Sequence, residues 1–147
     1  MNDISLVGEA RILIEPGIYA AVLTHHETNN VAFGGQPKVY LRFVLLDPGV
    51  MGVKLYAAFN VKAITGKPRL NGGIKLSHRQ ELTFQLARLQ PNVRLDRLSL
   101  KPLHNKEIKI KVRTVTTDSR QRPLPSSLQY SVVSELISLM EPLTHDQ

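Results

Sequence analysis

Three features of the sequence predict a mainly β fold with one helix set between its third and fourth strands. Apolar and polar residues alternate with period two over residues 38–46, 53–62 and 107–112. Residues 77–89 carry instead the i, i+4, i+7 apolar spacing of a helix. Pro, Gly and Asp punctuate the intervals between these segments.

In order, residues 1–14 form a lead-in, with a short strand expected at 10–14. Pro16-Gly17 then punctuates, and residues 18–24 (IYAAVLT) read as the first strand, rich in β-formers. Residues 25–37 (HHETNNVAFGGQP) are polar and glycine-bearing and are expected to be a loop. In residues 38–46, Val39, Leu41, Phe43 and Leu45 share one face of a strand, while Lys38, Tyr40 and Arg42 share the other. Asp47-Pro48-Gly49 ends that strand as a turn. Residues 53–62 alternate again, with Lys54 and Tyr56 on the polar face.

Residues 63–75 read as a flexible basic loop carrying Lys67, Arg69 and Lys75. The helix over 77–89 places Leu82, Leu86 and Leu89 on one side. Ser77 and Gln80 match a capping box at its start, and Pro91 stops it. Phe43, Phe59 and Phe84 are the expected aromatic core. Residues 92–105 are irregular, with a short strand expected near 98–100. The fourth long strand, from 107 to about 117, buries Ile108, Ile110 and Val112 and presents Lys109, Lys111 and Arg113. Its parity slips at Val115, which predicts a β-bulge there. A loop follows over 118–127. Residues 129–133 suit a last strand, although Val132, Leu136 and Met140 are equally spaced for a short helix. The domain is expected to span 15–140, with a flexible tail over 141–147.

The chain has 147 residues and a net charge of +7. Charge is unevenly distributed: residues 1–87 carry +3, residues 88–122 carry +7 and residues 123–147 carry −3. Such asymmetry is the electrostatic footprint of a polyanion binder. There is no cysteine, which excludes disulfides, thiolate metal sites and cysteine nucleophiles. No apolar run approaches the roughly 18 residues of a membrane span. The N-terminal residues lack a secretory pattern, so a cytoplasmic protein is expected, with no membrane association.

Strand, strand, strand, helix, strand and a possible fifth strand is the connectivity of the oligonucleotide/oligosaccharide-binding (OB) fold, a five-stranded, partly open Greek-key barrel. The segments PGIYAAVLTHHE, KVYLRFVLLDPGVMGVKLYAAFNV, LHNKEIKIKVRTV and QYSVV, spread over residues 15–133, carry a further likeness. Through Gly17, Tyr19, Leu41, Phe43, Gly52, Leu55, Lys106, Ile108 and Ile110 the chain resembles small single-stranded-DNA-binding proteins of bacteriophages and mobile elements. The resemblance implies an OB barrel that binds displaced single strands during replication or recombination. It does not identify the binding residues.

Those come from the residues themselves. Lys38, Tyr40, Arg42, Lys54, Tyr56, Lys109, Lys111 and Arg113 fall on one parity of three strands. Unpaired bases stack on aromatic rings while cations track phosphates. The loops add Lys67, Arg69, Arg120 and Arg122. With few aromatic residues and no Trp, binding is expected to lean on phosphates and weaken with salt. The expected partners are single-stranded DNA, with RNA as the alternative, replication or recombination proteins, and further copies of the chain. No cofactor or metal is expected.

Two other classes compete. Asp96, Glu107 and Lys109 follow the carboxylate, carboxylate, lysine order of one class of Mg²⁺ nucleases. Glu-x-Lys is, however, common in any basic alternating strand. A protein-binding adaptor of a phage or plasmid is the third. The triplet His25-His26-Glu27 has no second cluster spaced to complete a metal site.

Overall fold

The computed structural model describes residues 12–30 and 35–141. Five long strands form one antiparallel sheet: β1 (Gly17–Asn29), β2 (Lys38–Leu45), β3 (Lys54–Asn60), and then, late in the chain, β6 (Glu107–Val115) and β7 (Tyr130–Leu139). Their spatial order is β3-β2-β1-β6-β7, so the first strand is the central one. A two-stranded hairpin, β4 (Ala63–Ile64) with β5 (Ile74–Lys75), and one helix, α1 (Glu81–Leu89), lie between β3 and β6. No helix among the described residues is long and apolar enough to cross a membrane.

The period-two pattern translates directly into burial. Val39, Leu41, Phe43 and Leu45 of β2, Leu55, Ala57 and Phe59 of β3, and Ile108, Ile110 and Val112 of β6 are all in the core. The alternating polar residues form the opposite, outward face. Leu82, Leu86 and Leu89 bring α1 onto the same core. The turn from β2 to β3 closes by Gly52 N–H to the Leu45 carbonyl at 2.9 Å, with Gly52 at φ 88°, a conformation that costs glycine little.

The mainly β fold with one helix after the third long strand is formed, and the five-stranded sheet does not close into a barrel. The outer strands β3 and β7 approach each other but do not hydrogen-bond as neighbours. Helix α1 packs against both. Buried Gln85 accepts the Leu136 amide at 2.8 Å, and Arg88 donates to the Leu136 carbonyl at 2.7 Å. Side chains of a helix thus satisfy edge groups of β7 that a closing strand would take. Further along β7, the Ser131 amide donates to the Ile12 carbonyl at 2.8 Å, and Ile12 and Ile14 pack on the core. The domain therefore reaches back past residue 15. Residues 10 and 11 of the short strand expected in the lead-in, residues 31–34 of the expected loop and the tail from 142 onward lie outside the described residues, and residues 12–14 are not strand.

Several local expectations change. β1 runs on through His25–Asn29, which the polar composition marks as loop, because Arg42, Leu41, Tyr40, Val39 and Lys38 pair with it. The helix begins at Glu81, not near Ser77. Residues 77–80 make a turn in which the Gln80 side chain accepts the Ser77 amide at 3.1 Å, so half of the capping box survives outside the helix. Phe84 falls on the solvent face of α1 and is 59% exposed. Residues 98–100 are flanked by 3₁₀ turns rather than forming a strand. Residues 130–139 are strand, because β6 supplies a pairing edge that helical spacing does not foresee. No register shift occurs at Val115, which pairs regularly with Tyr130; the shifts lie between Lys109 and Val112, where Ser134 and Ile137 of β7 are the extra residues.

Candidate nucleic-acid interface

The outward face of β2 and β3 gathers the ringed part of the expected site. Arg42 stands opposite Tyr56, Tyr40 opposite Ala58, and Lys38 opposite Asn60. The Tyr40 and Tyr56 rings are diagonal neighbours, 6.0 Å apart between centroids and tilted by 58°. The Arg42 guanidinium lies 5.4 Å from the Tyr56 centroid, within cation–π range. The Lys38 ammonium donates to the Asn60 side chain at 2.7 Å. Lys54 is exposed at the other end of β3.

Residues 63–75 are not the free loop that their composition suggests. The β4–β5 hairpin folds its tip back onto the end of β1. The Thr28 amide donates to the Arg69 carbonyl at 3.0 Å, and the Arg69 amide to the Thr28 hydroxyl at 3.1 Å. The Asn71 amide donates to the His26 carbonyl at 2.6 Å, while the Asn71 side chain accepts the His26 amide at 3.0 Å. Gly72 permits this approach, since a Cβ there would lie 2.6 Å from the Thr28 hydroxyl. The result is a groove of about 450 Å³ between sheet and hairpin. Glu27, Tyr40 and Arg42 line it from the sheet, and Pro68, Arg69 and Leu70 from the hairpin. Thr28 and Asn29 contribute at the end of β1. Lys67 is exposed on the same hairpin.

One irregularity decides which β1 residues take part. Leu23 pairs with Phe43 but His25 with Arg42, so Thr24 is an extra residue. The parity of β1 switches there: Leu23 and then His26 and Thr28 are buried, while His25 and Glu27 turn outward. Glu27 consequently meets Arg42, whose Nε and a terminal nitrogen both donate to one carboxylate oxygen, at 3.1 and 2.9 Å. Its other oxygen lies 4.0 Å from His25 Nε2. Sequence alternation gives no sign of a bulge, and Glu27 is missed for that reason.

His26, turned inward, makes a second unforeseen contact. Its Nε2 is 2.8 Å from the Gly72 carbonyl and its Nδ1 is 2.9 Å from His104 Nε2. A carbonyl only accepts, so His26 Nε2 carries the proton and Nδ1 accepts from His104. Burial lowers the pKa of both rings from the ordinary 6.5, and each is lowered further by neighbouring histidines; the Gly72 carbonyl opposes this for His26.

The remaining predicted cations lie apart. Lys109, Lys111 and Arg113 are exposed on the same sheet face. Ala20 and Ile18 of β1 stand opposite Lys109 and Lys111, placing an apolar strip beside these lysines. Arg120 and Arg122 sit in a separate loop. Asp118 accepts both their amides, at 2.8 and 3.0 Å, and pairs with the Arg122 guanidinium at 2.9 Å. These contacts, led by the Arg122 amide, lower the Asp118 pKa. Arg122 is therefore engaged in holding its own loop. Of the nuclease pattern, Asp96 pairs with Arg94 at 3.3 Å in an exposed 3₁₀ turn, and Glu107 opens β6 facing outward. Among the described residues no group of three or more His, Cys, Asp or Glu is placed to hold a metal ion.

No family model, no curated protein and no solved structure matches the chain.

Proposed function

We propose that this protein binds single-stranded DNA without acting on it chemically, in the replication or recombination of a phage or mobile element. The observation that carries the reading is the Tyr40–Tyr56 ring pair beside Arg42, opening onto the groove under Arg69. Two neighbouring rings offer stacking surface to successive bases, whatever their sequence, at about 1–3 kcal/mol each. Exposed Lys54 and Lys67 and half-buried Lys38 around them supply cations for phosphates. The architecture supports the reading as well. A β3-β2-β1-β6-β7 order, with a helix between the third and fourth long strands, is compatible with an OB connectivity whose β3–β7 seam has been left open.

Fluorescence anisotropy of a labelled oligo-dT strand across a salt series tests it. Binding is expected at low salt and should weaken steeply as salt rises. Tyr40→Ala and Tyr56→Ala should each weaken it roughly 5- to 150-fold, the equivalent of one lost stack. Absence of binding at low salt, or full affinity in both folded variants, would discard the proposal.

A further inference from the structure

A carboxylate is an unexpected group to find in the middle of a surface that binds a polyanion. Glu27 cannot withdraw from it. Its backbone is pinned on both sides, opposite Tyr40 of β2 in one direction and bridged to Leu70 of the hairpin in the other. The bulge at Thr24 turns its side chain outward. There it occupies the guanidinium of Arg42 through two donated hydrogen bonds, so the central cation of the groove is already neutralised. The remaining lining is suited to a flat, partly apolar guest: the Tyr40 ring, Pro68 and Leu70, with Thr28 and Asn29 as polar groups. Arg69 is the other cation of the lining, and its guanidinium folds back over Gly66 of its own hairpin. Further exposed positive charge lies outside the groove, on Lys54 and Lys67.

We propose that the groove between β1, β2 and the β4–β5 hairpin receives a nucleobase and turns phosphates away, with Glu27 as the residue that enforces the orientation. This rests on the reading of the face as a single-strand-binding surface. A phosphate entering the groove would find the Arg42 guanidinium already taken by the Glu27 carboxylate, and would give up its water without gaining that cation as a partner. A neutral base meets no such penalty. It can slide over the Tyr40 ring while its sugar–phosphate backbone runs along the rim lysines. Glu27 thereby sets which side of the strand faces the protein, and it subtracts one phosphate contact that Arg42 would otherwise make.

Titrating wild-type protein, Glu27→Gln and Glu27→Ala with oligo-dT and with a fully abasic oligonucleotide of equal length, over a KCl series, tests this. Wild type should bind the abasic strand at least tenfold more weakly than oligo-dT. Both variants should bind oligo-dT several-fold more tightly at low salt. Their log–log salt dependence should steepen by about 0.7, the equivalent of one added phosphate on a single strand. The abasic penalty should shrink, since backbone can now enter the groove. Equal wild-type affinity for the two strands overturns the proposal without using any variant. So do variants, folded by circular dichroism, whose salt slope and abasic penalty equal those of wild type. In either case binding of oligo-dT leaves the single-strand reading standing. A wild-type protein that binds neither strand removes that reading and this one with it.

Discussion

At the level of single residues, buried His26 and half-buried His104 make a definite statement about pH. His26 and His104 are held neutral by burial and by a proton arrangement running from His104 to His26 to the Gly72 carbonyl. Their pKa values are lowered in the folded state, so on acidification the unfolded chain takes up protons first. Stability is therefore complete above about 6.5, the ordinary histidine value, and falls as pH drops below it. The melting temperature should be lower at pH 5.5 than at pH 7.5, and His104→Gln should flatten that dependence. A wild-type melting temperature unchanged over this range would refute the assignment. The sequence displays His25-His26-Glu27 plainly but gives three adjacent residues no directions. The inserted Thr24 alone sends His26 inward and Glu27 outward. Tyr40, Arg42 and Tyr56 were legible because no bulge interrupts β2 or β3 and parity is preserved.

At the level of elements, what could be read was what obeys a period. β2, β3 and β6 follow from alternation, and α1 from its leucines. What could not be read depends on partners distant in the chain. The segment after residue 129 suits a strand or a helix by its spacing, and 130–139 becomes a strand with two extra residues because β6 is beside it. Gln85 looks like an ordinary polar helix residue, yet it is 1% exposed and serves as an acceptor for β7. Gln85→Ala should leave the Leu136 amide without its acceptor. Leaving a buried donor unsatisfied costs about 1–3 kcal/mol. The midpoint of urea unfolding should fall accordingly, while oligonucleotide affinity of the folded protein stays near wild type. A midpoint within error of wild type would show that the seam does not depend on this hydrogen bond. The basic segment 63–75 offers a parallel lesson. Its composition describes a mobile loop, whereas Thr28, His26 and Asn71 fasten it to β1.

At the level of the whole molecule, cations are divided between two regions of one sheet face. The β2–β3 region holds rings and the groove; β6 holds Lys109, Lys111 and Arg113 across β1. A single strand that spans both must cross the apolar strip at Ile18 and Ala20. Under the proposed function, the triple substitution Lys109→Ala, Lys111→Ala, Arg113→Ala should reduce the salt slope by about 2, from three phosphates at about 0.7 each. A short oligonucleotide that fills only the groove should be much less affected. An identical loss for short and long strands would mean that β6 acts at a distance and is not touched. The charge imbalance along the chain marks residues 88–122, which hold β6, and gives no sign of the β2–β3 region. It could not indicate the division, because β1 lies between the two regions only after the chain has folded.

The central place of the first strand also bears on how the protein is made. β1 leaves the ribosome early, but β6 follows far behind: Val112, the last β6 residue paired with β1, is 83 residues after Asn29. At roughly 5–20 residues per second, that separation takes about 4–17 s. Through that interval the β1 edge later covered by β6 stays open. A nascent chain in this condition has a ready-made template for another strand, and neighbouring copies on the same message present the same one. Production of this protein should consequently be more sensitive to translation pauses within residues 30–106 than to pauses after β7 is complete.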